Sequence, residues 1–229
     1  ISLIVLNNMN KRNYSLLFEK GRKEKEEIFN KILSLKGDSL KVFTTDYSFW
    51  DEMIEFINDV ESRQQWAFDN IDPALETYNV EKAWILNLNG DVVYCATALE
   101  NDLELKKFIL SKEEVQEIFS AGVKSYHFFY FVDQGLMEMR GHVVNATSDV
   151  ERIDPKGYFF AAKLWDKDYM DELATLTNSE AGLSQSYPQG EIAENEKGIM
   201  RFFIPLLGFD KKPISFVESR FIDEKFIII

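Results

Sequence analysis

Apolar residues in the first third of the chain recur at the spacing of helices. Four of them stand at positions i, i+3, i+4 and i+7 and therefore share one helix face; they are Trp50, Met53, Ile54 and Ile57. We predict that this helix covers Asp46–Ile57 and that Asp46 helps to cap its start. A longer, highly charged helix is predicted over residues 7–36 and ends at Gly37, because glycine commonly follows a last helical turn. Residues 61–78 continue in helices and complete a helical hairpin.

Beyond residue 80 the apolar residues alternate, as they do in strands with one buried face. Asn89-Gly90 separates two such runs and is typical of hairpin turns, because these residues tolerate positive φ. Gln134-Gly135 separates a second pair of runs. The predicted strands cover residues 83–88, 92–98, 126–132, 136–144, 157–164, 199–207 and 213–221.

Two shorter helices interrupt the strands. Ser111 and Glu114 have the spacing of a capping box at the start of a helix over residues 112–120. A second helix is predicted over residues 166–177. Residues 182–197 are polar and irregular, which predicts a loop.

Helices followed by antiparallel strands with inserted helices indicate an α+β fold, since a parallel sheet needs a crossover before each strand. We predict a long N-terminal helix and a helical hairpin packed on a central antiparallel sheet. The chain divides into an N-terminal helix (1–36), one folded domain (37–222) and the start of a C-terminal segment (223–229).

Charge and composition restrict the partners. The 229 residues have a net charge of −13, and an acidic body repels phosphate backbones, so we expect no nucleic-acid partner. Residues 1–36 are basic, with bases and acids interleaved, which favours a solvated helix face over binding to anionic lipid. One cysteine, Cys95, excludes a disulfide within the chain and a cysteine-based zinc cluster.

The two ends of the chain are apolar, reading ISLIVL and FIII. No apolar run reaches the roughly 18 residues that a membrane helix needs. The ends are consistent with a segment taken from between two membrane helices, and equally with ordinary terminal strands.

Signals for catalysis or metal binding are poor. His127 and His142 lie in predicted strands, without the spacing that binds a metal or orients a nucleophile. Asp166, Asp168 and Asp171 suit the start of a helix better than a metal site. We therefore predict neither a catalytic residue nor a cofactor. An uncharacterised hydrolase that uses the two histidines is the enzymatic alternative.

A binding site is the more plausible functional site, because aromatic and polar side chains gather on the predicted strands. Alternation places Tyr126, Phe128 and Tyr130 on one face of the sheet, and Arg140 shares a face with His142. A guanidinium among aromatic residues needs a partner. That partner is a ligand carboxylate, or Asp51, or another internal acid. If instead the site offers Asp51 and aromatic faces, cationic ligands fit.

Short motifs in a fixed order carry a family resemblance over residues 40–222. They are the opening Asp46-Tyr47-x-x-Trp50-Asp51, then YNVEKAWILNLNGDVVYC, GLMEMRGHVV, PKGYFFAAKLWDKDYMDELATLT and IPLLGFDKKPISFVESRF. Together they resemble the fourth class of CHASE domains, which are extracytoplasmic sensing modules of histidine kinases and diguanylate cyclases. Such domains are similar to PAS and Cache folds, with a pocket on one face of the sheet.

The resemblance implies an extracytoplasmic sensor of a membrane-bound signalling protein. Binding of a small molecule would shift the terminal helices, and the N-terminal helix would form a homodimer. The alternative is a dimerising or protein-docking module without a ligand. The ligand-binding residues that we predict are Trp50, Asp51, Tyr126, Phe128, Tyr130, Arg140, His142 and Tyr158.

Overall fold

The computed structural model describes residues 2–99, 108–120, 122–187 and 197–227. The elements, in chain order, are α1 (Ser2–Tyr47), α2 (Asp51–Asn58), α3 (Val60–Asn70), α4 (Asp72–Tyr78), β1 (Lys82–Asn87), β2 (Val92–Thr97), α5 (Lys112–Ser120), β3 (Ser125–Val132), β4 (Gly135–Val144), β5 (Gly157–Trp165), α6 (Lys167–Thr177), β6 (Glu180–Ser184), β7 (Lys197–Leu207) and β8 (Pro213–Ile227). The α+β class and the antiparallel pairing are confirmed.

Helix α1 is longer than predicted, because it passes through Gly37 instead of ending there. A Cβ atom at Gly37 would lie 3.3 Å from both Arg140 Nη2 and Glu138 Oε1, so glycine serves here for close approach and does not act as a cap. The helix continues for ten more residues. Near its end the hydroxyl of Thr45 donates to the Lys41 carbonyl 2.8 Å away.

The predicted start of the next helix at Asp46 is wrong, because α2 begins at Asp51 and Trp50 is its N-cap residue. The predicted apolar face is present: Met53 is fully buried, and Ile54 packs beside it. Helices α3 and α4 follow directly, and the latter opens with Asp72-Pro73. Proline suits this first turn because its missing N–H has no partner to lose.

The central sheet has five antiparallel strands in the order β2-β1-β5-β4-β3. Both predicted hairpins are present, and Gly90 adopts a φ of 79° in the first turn. The predicted capping box is also confirmed: the Ser111 amide donates to Glu114 Oε2 at 2.8 Å, and the Glu114 amide donates to Ser111 Oγ at 3.2 Å.

The two faces of this sheet carry separate hydrophobic cores. The helical face carries Ile85 and Phe159 and is covered by the end of α1 and by α2–α4. The aromatic face carries Trp84, Phe128 and Tyr158, and it is covered in part by α5 through Val115 and Phe119.

A second antiparallel sheet, in the order β6-β8-β7, was not predicted. Residues 182–184 of strand β6 lie in the region predicted as a loop, of which residues 188–196 fall outside the described residues. The last two strands therefore pair with each other and with β6 instead of closing the central sheet. Strand β8 extends to Ile227, so residues 223–227 of the predicted C-terminal segment continue the strand; residues 228–229 fall outside the described part.

The chain forms two compact units: a terminal unit of residues 1–36 and 167–229, and a central unit of residues 37–166. Sequence analysis assigned residues 167–222 to the same domain as residues 37–166, whereas they group with the first 36 residues. In the terminal unit Phe29 and Phe202 are buried, and their ring centres lie 5.3 Å apart. Lys36 Nζ pairs with Glu172 Oε2 at 2.5 Å.

Candidate functional site

The eight predicted binding residues occupy three separate places in the central unit. Tyr126, Phe128, Tyr130 and Tyr158 lie on the aromatic face. Arg140 and His142 lie on the opposite side of the sheet, since their cross-strand partners are His127 and Ser125. Trp50 and Asp51 lie at the start of α2. Alternation along β3 and β4 is therefore confirmed, but a single site made of all eight residues is not formed.

The aromatic face brings four of the predicted residues together on two strands. Phe128 is almost fully buried on β3, with half-buried tyrosines two residues before and after it. On β5, the Tyr158 ring stacks on Phe119 of α5 with 5.0 Å between ring centres. Together these side chains form an aromatic wall that includes three phenol groups, those of Tyr126, Tyr130 and Tyr158. Aromatic walls with a few placed polar atoms are typical of small-molecule sites.

One buried polar atom on this face lacks a hydrogen-bond partner in the part of the chain that the structure describes. The indole Nε1–H of Trp84 is buried and donates to no atom. On the neighbouring strand β5, burial raises the pKa of the Tyr158 phenol. A buried donor without an acceptor lowers the stability of the fold by about 1–3 kcal/mol, so a ligand that supplies an acceptor to this donor would remove that cost.

Sequence analysis missed Lys82, a fully buried cation on the same face of β1 as Trp84. Its Nζ lies 5.2 Å from the centre of the Trp84 ring, within the range of a cation–π contact. The available signal was the alternation of KAWILN, which places Lys82 and Trp84 on one face. A lysine at the first position of a strand does not by itself indicate burial.

Arg140 has an internal partner, but this partner is Glu138 and not Asp51. Its Nη2 lies 3.2 Å from Glu138 Oε1. The same carboxylate accepts from Trp165 Nε1 at 3.2 Å and lies 2.9 Å from His127 Nε2. Burial opposes ionisation of Glu138, yet the hydrogen bonds and charges of His127, Arg140 and Trp165 outweigh it and lower the pKa of this carboxyl.

His142 lies near the end of α1 and is surrounded by positively charged side chains. Its Nε2 lies 3.4 Å from Thr45 Oγ1, while its Nδ1 is buried without a partner among the described residues. Burial, followed by the charges of Arg152, Arg140 and Lys41, lowers the pKa of His142 to about 4. The ring is therefore neutral at pH 7.

Trp50 and Asp51 have structural partners. The Trp50 ring lies 5.0 Å from Trp66 and packs against the core of the helical face. The Asp51 carboxylate accepts from the backbone N–H of Thr147 at 2.8 Å and from its hydroxyl at 2.5 Å, and these bonds lower the pKa of Asp51. Asp51 thus links the loop after β4 to the start of α2 through two hydrogen bonds.

Neither a metal-ligand cluster nor a membrane-spanning helix is found in the described residues. No group of three or more His, Cys, Asp or Glu side chains there is arranged to hold a metal ion. No helix there combines the length and the apolar composition that crossing a bilayer requires.

A family model described as CHASE4 domain matches residues 32–184. Among solved structures, the fold is similar to that of the periplasmic domain of Vibrio cholerae LuxQ, with a TM-score of 0.56, 10% identity, and coverage of 87% of this chain and 99% of that one. It is also similar to the sensor domain of the V. cholerae histidine kinase DctB, with a TM-score of 0.52, 8% identity, and coverage of 92% and 99%. At these identities the likeness concerns the fold alone. No curated protein matches the chain.

Proposed function

Because the chain belongs to the CHASE4 family of extracytoplasmic sensory domains, we propose that it binds a small molecule on the aromatic face of its central sheet and passes this event to a signalling output. The observation that carries the choice of face is the buried indole N–H of Trp84, which has no hydrogen-bond partner in the described structure and lies on the same face as the Tyr158 phenol. Tyr126, Phe128 and Tyr130 would supply ring contacts.

The side chains of the aromatic face restrict the chemical groups that a ligand can carry. Trp84 Nε1 only donates, so the ligand must present an acceptor oxygen or nitrogen to it. Tyr158 both donates and accepts, and it fixes the orientation of a second polar group. The neighbouring rings favour a planar or apolar part of the ligand, which stacks on them. A molecule of metabolite size with one acceptor and one further polar group meets these conditions.

Signalling requires that the ligand distinguish two conformations of the domain. A ligand that binds both equally shifts no population, whatever its affinity. A fully effective switch needs a differential affinity of about 5.5 kcal/mol, and a graded response needs less. The ligand would therefore bind one arrangement of α5 and β3–β5 more tightly than the other.

Thermal unfolding of this chain in the presence of a metabolite panel tests the proposal. A ligand at a hundredfold excess over its Kd adds about 2.7 kcal/mol to the free energy of unfolding. Tyr158→Phe and Trp84→Phe should weaken its binding about 2- to 12-fold, the worth of one hydrogen bond. Tyr78→Phe is the matched control, because it removes a phenol hydroxyl from the helical face.

Two results would contradict the proposal. One is that no metabolite of the panel stabilises the chain, as expected for a ligand-free docking module. The other is that ligands stabilise the chain but bind the Tyr158, Trp84 and Tyr78 variants equally, which would place the ligand elsewhere. An enzymatic role for the two histidines would show as turnover of the bound compound that His127→Ala and His142→Ala abolish.

We further propose that the chain forms a homodimer through α1. Leu17, Ile28 and Leu35 are 61%, 51% and 68% exposed. They are separated by eleven and seven residues, spacings that return to nearly the same side of a helix. An exposed apolar stripe of this kind fits the coiled-coil seam of a second copy.

Sedimentation equilibrium tests the dimer. Leu35→Glu should make the chain monomeric at concentrations where the parent chain is dimeric, because it places a charge in the seam. Leu16→Glu is the control: Leu16 is equally exposed at 61%, but it lies about 100° around the helix from Leu17. A dimer that tolerates Leu35→Glu, or a parent chain that stays monomeric, would refute this interface.

The signalling protein would be membrane-anchored, with this domain outside the cytoplasm and a histidine kinase or diguanylate cyclase as its output. The family membership supports this arrangement. The full-length gene tests it directly: it should encode membrane helices beside this domain and an output domain after it. A gene that encodes a free-standing cytosolic protein would contradict the proposal.

A further inference from the structure

Three positive side chains surround His142 on the side of the sheet opposite the aromatic face. Arg140 precedes it by two residues on β4 and therefore projects from the same side. Lys41 lies one helical turn before Thr45 on α1, and Thr45 Oγ1 lies 3.4 Å from the His142 ring. Arg152 reaches the same turn of α1 from the loop before β5.

Arg152 is held in place by neutral groups. Its Nη1 donates to Ser48 Oγ at 2.9 Å and its Nη2 to the Thr45 carbonyl at 3.3 Å. The guanidinium carbon lies 4.8 Å from the centre of the Phe49 ring. Its position is thus fixed without a carboxylate in salt-bridge contact in the described structure, and its charge remains available.

Two acids close to this cluster, Glu138 and Asp149, are engaged by other groups. Glu138 is bound by His127 and Trp165 as well as by Arg140. Asp149 accepts from the backbone N–H groups of Ile153 and Asp154 and from the Asn145 side chain. In a chain with a net charge of −13, three cations around a neutral histidine are an exception to the general acidity.

Hydrogen-bonding capacity is also left unused here. The Nε of Arg140 and the Nδ1 of His142 are buried and have no partner among the described residues. Arg140 has five N–H donors, and within the described part of the chain one of them forms a hydrogen bond, to Glu138. Positive charge together with unused donors is the arrangement that binds carboxylate and phosphate oxygens.

We infer that Lys41, Arg140, His142 and Arg152 form a binding site for a small soluble anion with two or more acceptor oxygens, of the carboxylate or phosphate type. The two arginines would donate to its oxygens, Lys41 would add charge from the solvent side, and neutral His142 would donate one further hydrogen bond. The site lies beside the last turns of α1, so a bound anion would draw α1, β4 and the loop before β5 together.

Titration of the chain with phosphate, sulfate, acetate and succinate, at pH 7 and constant ionic strength, tests this site. The chain has two histidines, so His142→Gln assigns their two sets of ring signals in the NMR spectrum. At least one of the anions should shift the His142 signals saturably and raise the pKa of His142. Saturation by phosphate or by carboxylates identifies the anion type, and either one supports the site.

Substitutions distinguish a specific anion-binding site from a general effect of the positive charge of the chain on anion binding. Lys41→Gln should weaken binding about 2- to 5-fold, as loss of an exposed charge does. Arg152→Gln should weaken it about tenfold or more, as loss of a charged hydrogen bond does. Lys31→Gln is the matched control, since Lys31 is an exposed lysine ten residues earlier on the same helix; its Kd should equal that of the parent chain.

The proposal is overturned if none of the four anions shifts the His142 signals saturably, or if Lys41→Gln and Lys31→Gln bind alike. Lys41 is exposed, so its substitution leaves the fold intact and keeps the test decisive even if Arg152→Gln unfolds the chain. Tyr158→Phe should leave the anion affinity unchanged. Failure of the anion site and failure of the aromatic-face site are therefore distinguishable.

Discussion

Gly141 on β4 is the position where adding one carbon atom should disturb the aromatic face most directly. An alanine Cβ there would lie 2.2, 2.4 and 2.8 Å from three carbon atoms of the Phe160 ring. Non-bonded carbon atoms normally approach to about 3.5–4.0 Å. Phe160 is fully buried, and its ring centre lies 4.7 Å from that of Phe108 and 5.9 Å from that of Phe119. The ring is therefore enclosed, and other aromatic rings are among its neighbours.

The size of the effect follows from two opposing contributions. Overpacking a well-packed core costs about 1–3 kcal/mol, and a clash with three ring atoms belongs at the upper end. Replacing glycine in a strand returns about 0.5–1 kcal/mol of backbone entropy. We expect Gly141→Ala to lower the free energy of unfolding of the central unit by about 2 kcal/mol.

Urea unfolding followed by tryptophan fluorescence measures this change. All four tryptophans, at positions 50, 66, 84 and 165, lie in the central unit, so the signal reports on that unit. With a slope of about 1–3 kcal/mol per molar urea, the midpoint should fall by about 0.7–2 M. In a Phe160→Leu background the smaller side chain relieves the clash, and alanine should cost less than about 1 kcal/mol. An unchanged midpoint, or the same loss in both backgrounds, would refute the reasoning.

Three further predictions use the same unfolding assay. First, the pKa of His142 is lowered to about 4, so the unfolded chain binds a proton that the folded chain excludes, and stability falls as the pH drops from about 6.5 towards 4. Between pH 7 and 4.5 the parent chain should lose about 2–3 kcal/mol more than His142→Gln; equal losses would contradict the assignment. Second, Glu138→Ala should cost about 3 kcal/mol, because it leaves Arg140 and Trp165 without their shared acceptor; a cost below 1 kcal/mol would show that the buried carboxylate has little effect. Third, Ser111→Ala should cost about 1 kcal/mol through loss of the cap of α5, whereas Ser111→Thr should retain most of the stability.

Local features of the sequence predicted local features of the fold. Asn89-Gly90 marks the first hairpin of the central sheet, Gln134-Gly135 marks the second to within one residue of its turn at Asp133-Gln134, and Ser111 with Glu114 gives the start of α5. These signals act within a few residues, where turn chemistry and capping decide the conformation. Alternation along β3 and β4 likewise assigned side chains to the correct faces, because the period of a strand is two.

Features that depend on tertiary contacts were not predictable in this way. Gly37 suggested a helix end, but its role depends on Glu138 and Arg140, which are about a hundred residues away in the chain. Strand β6 has the polar sequence EAGLS, and its pairing with β8 decides its conformation. Alternation gives the face of Arg140 but not its partner, so the prediction named Asp51 or another internal acid without identifying Glu138, two residues away.

The glycine inside α1 has a mechanical consequence. At Gly37 the Glu138–Arg140 pair meets the main chain of the helix directly, since no side chain stands between them. Flexible side chains usually absorb small displacements by changing rotamer, but a bare peptide backbone has no such freedom. A movement of this charge pair is therefore buffered only by the Glu138 and Arg140 side chains, and not by a side chain of the helix. The absence of a Cβ atom at Gly37 therefore makes the contact between the helix and the Glu138–Arg140 pair less compliant.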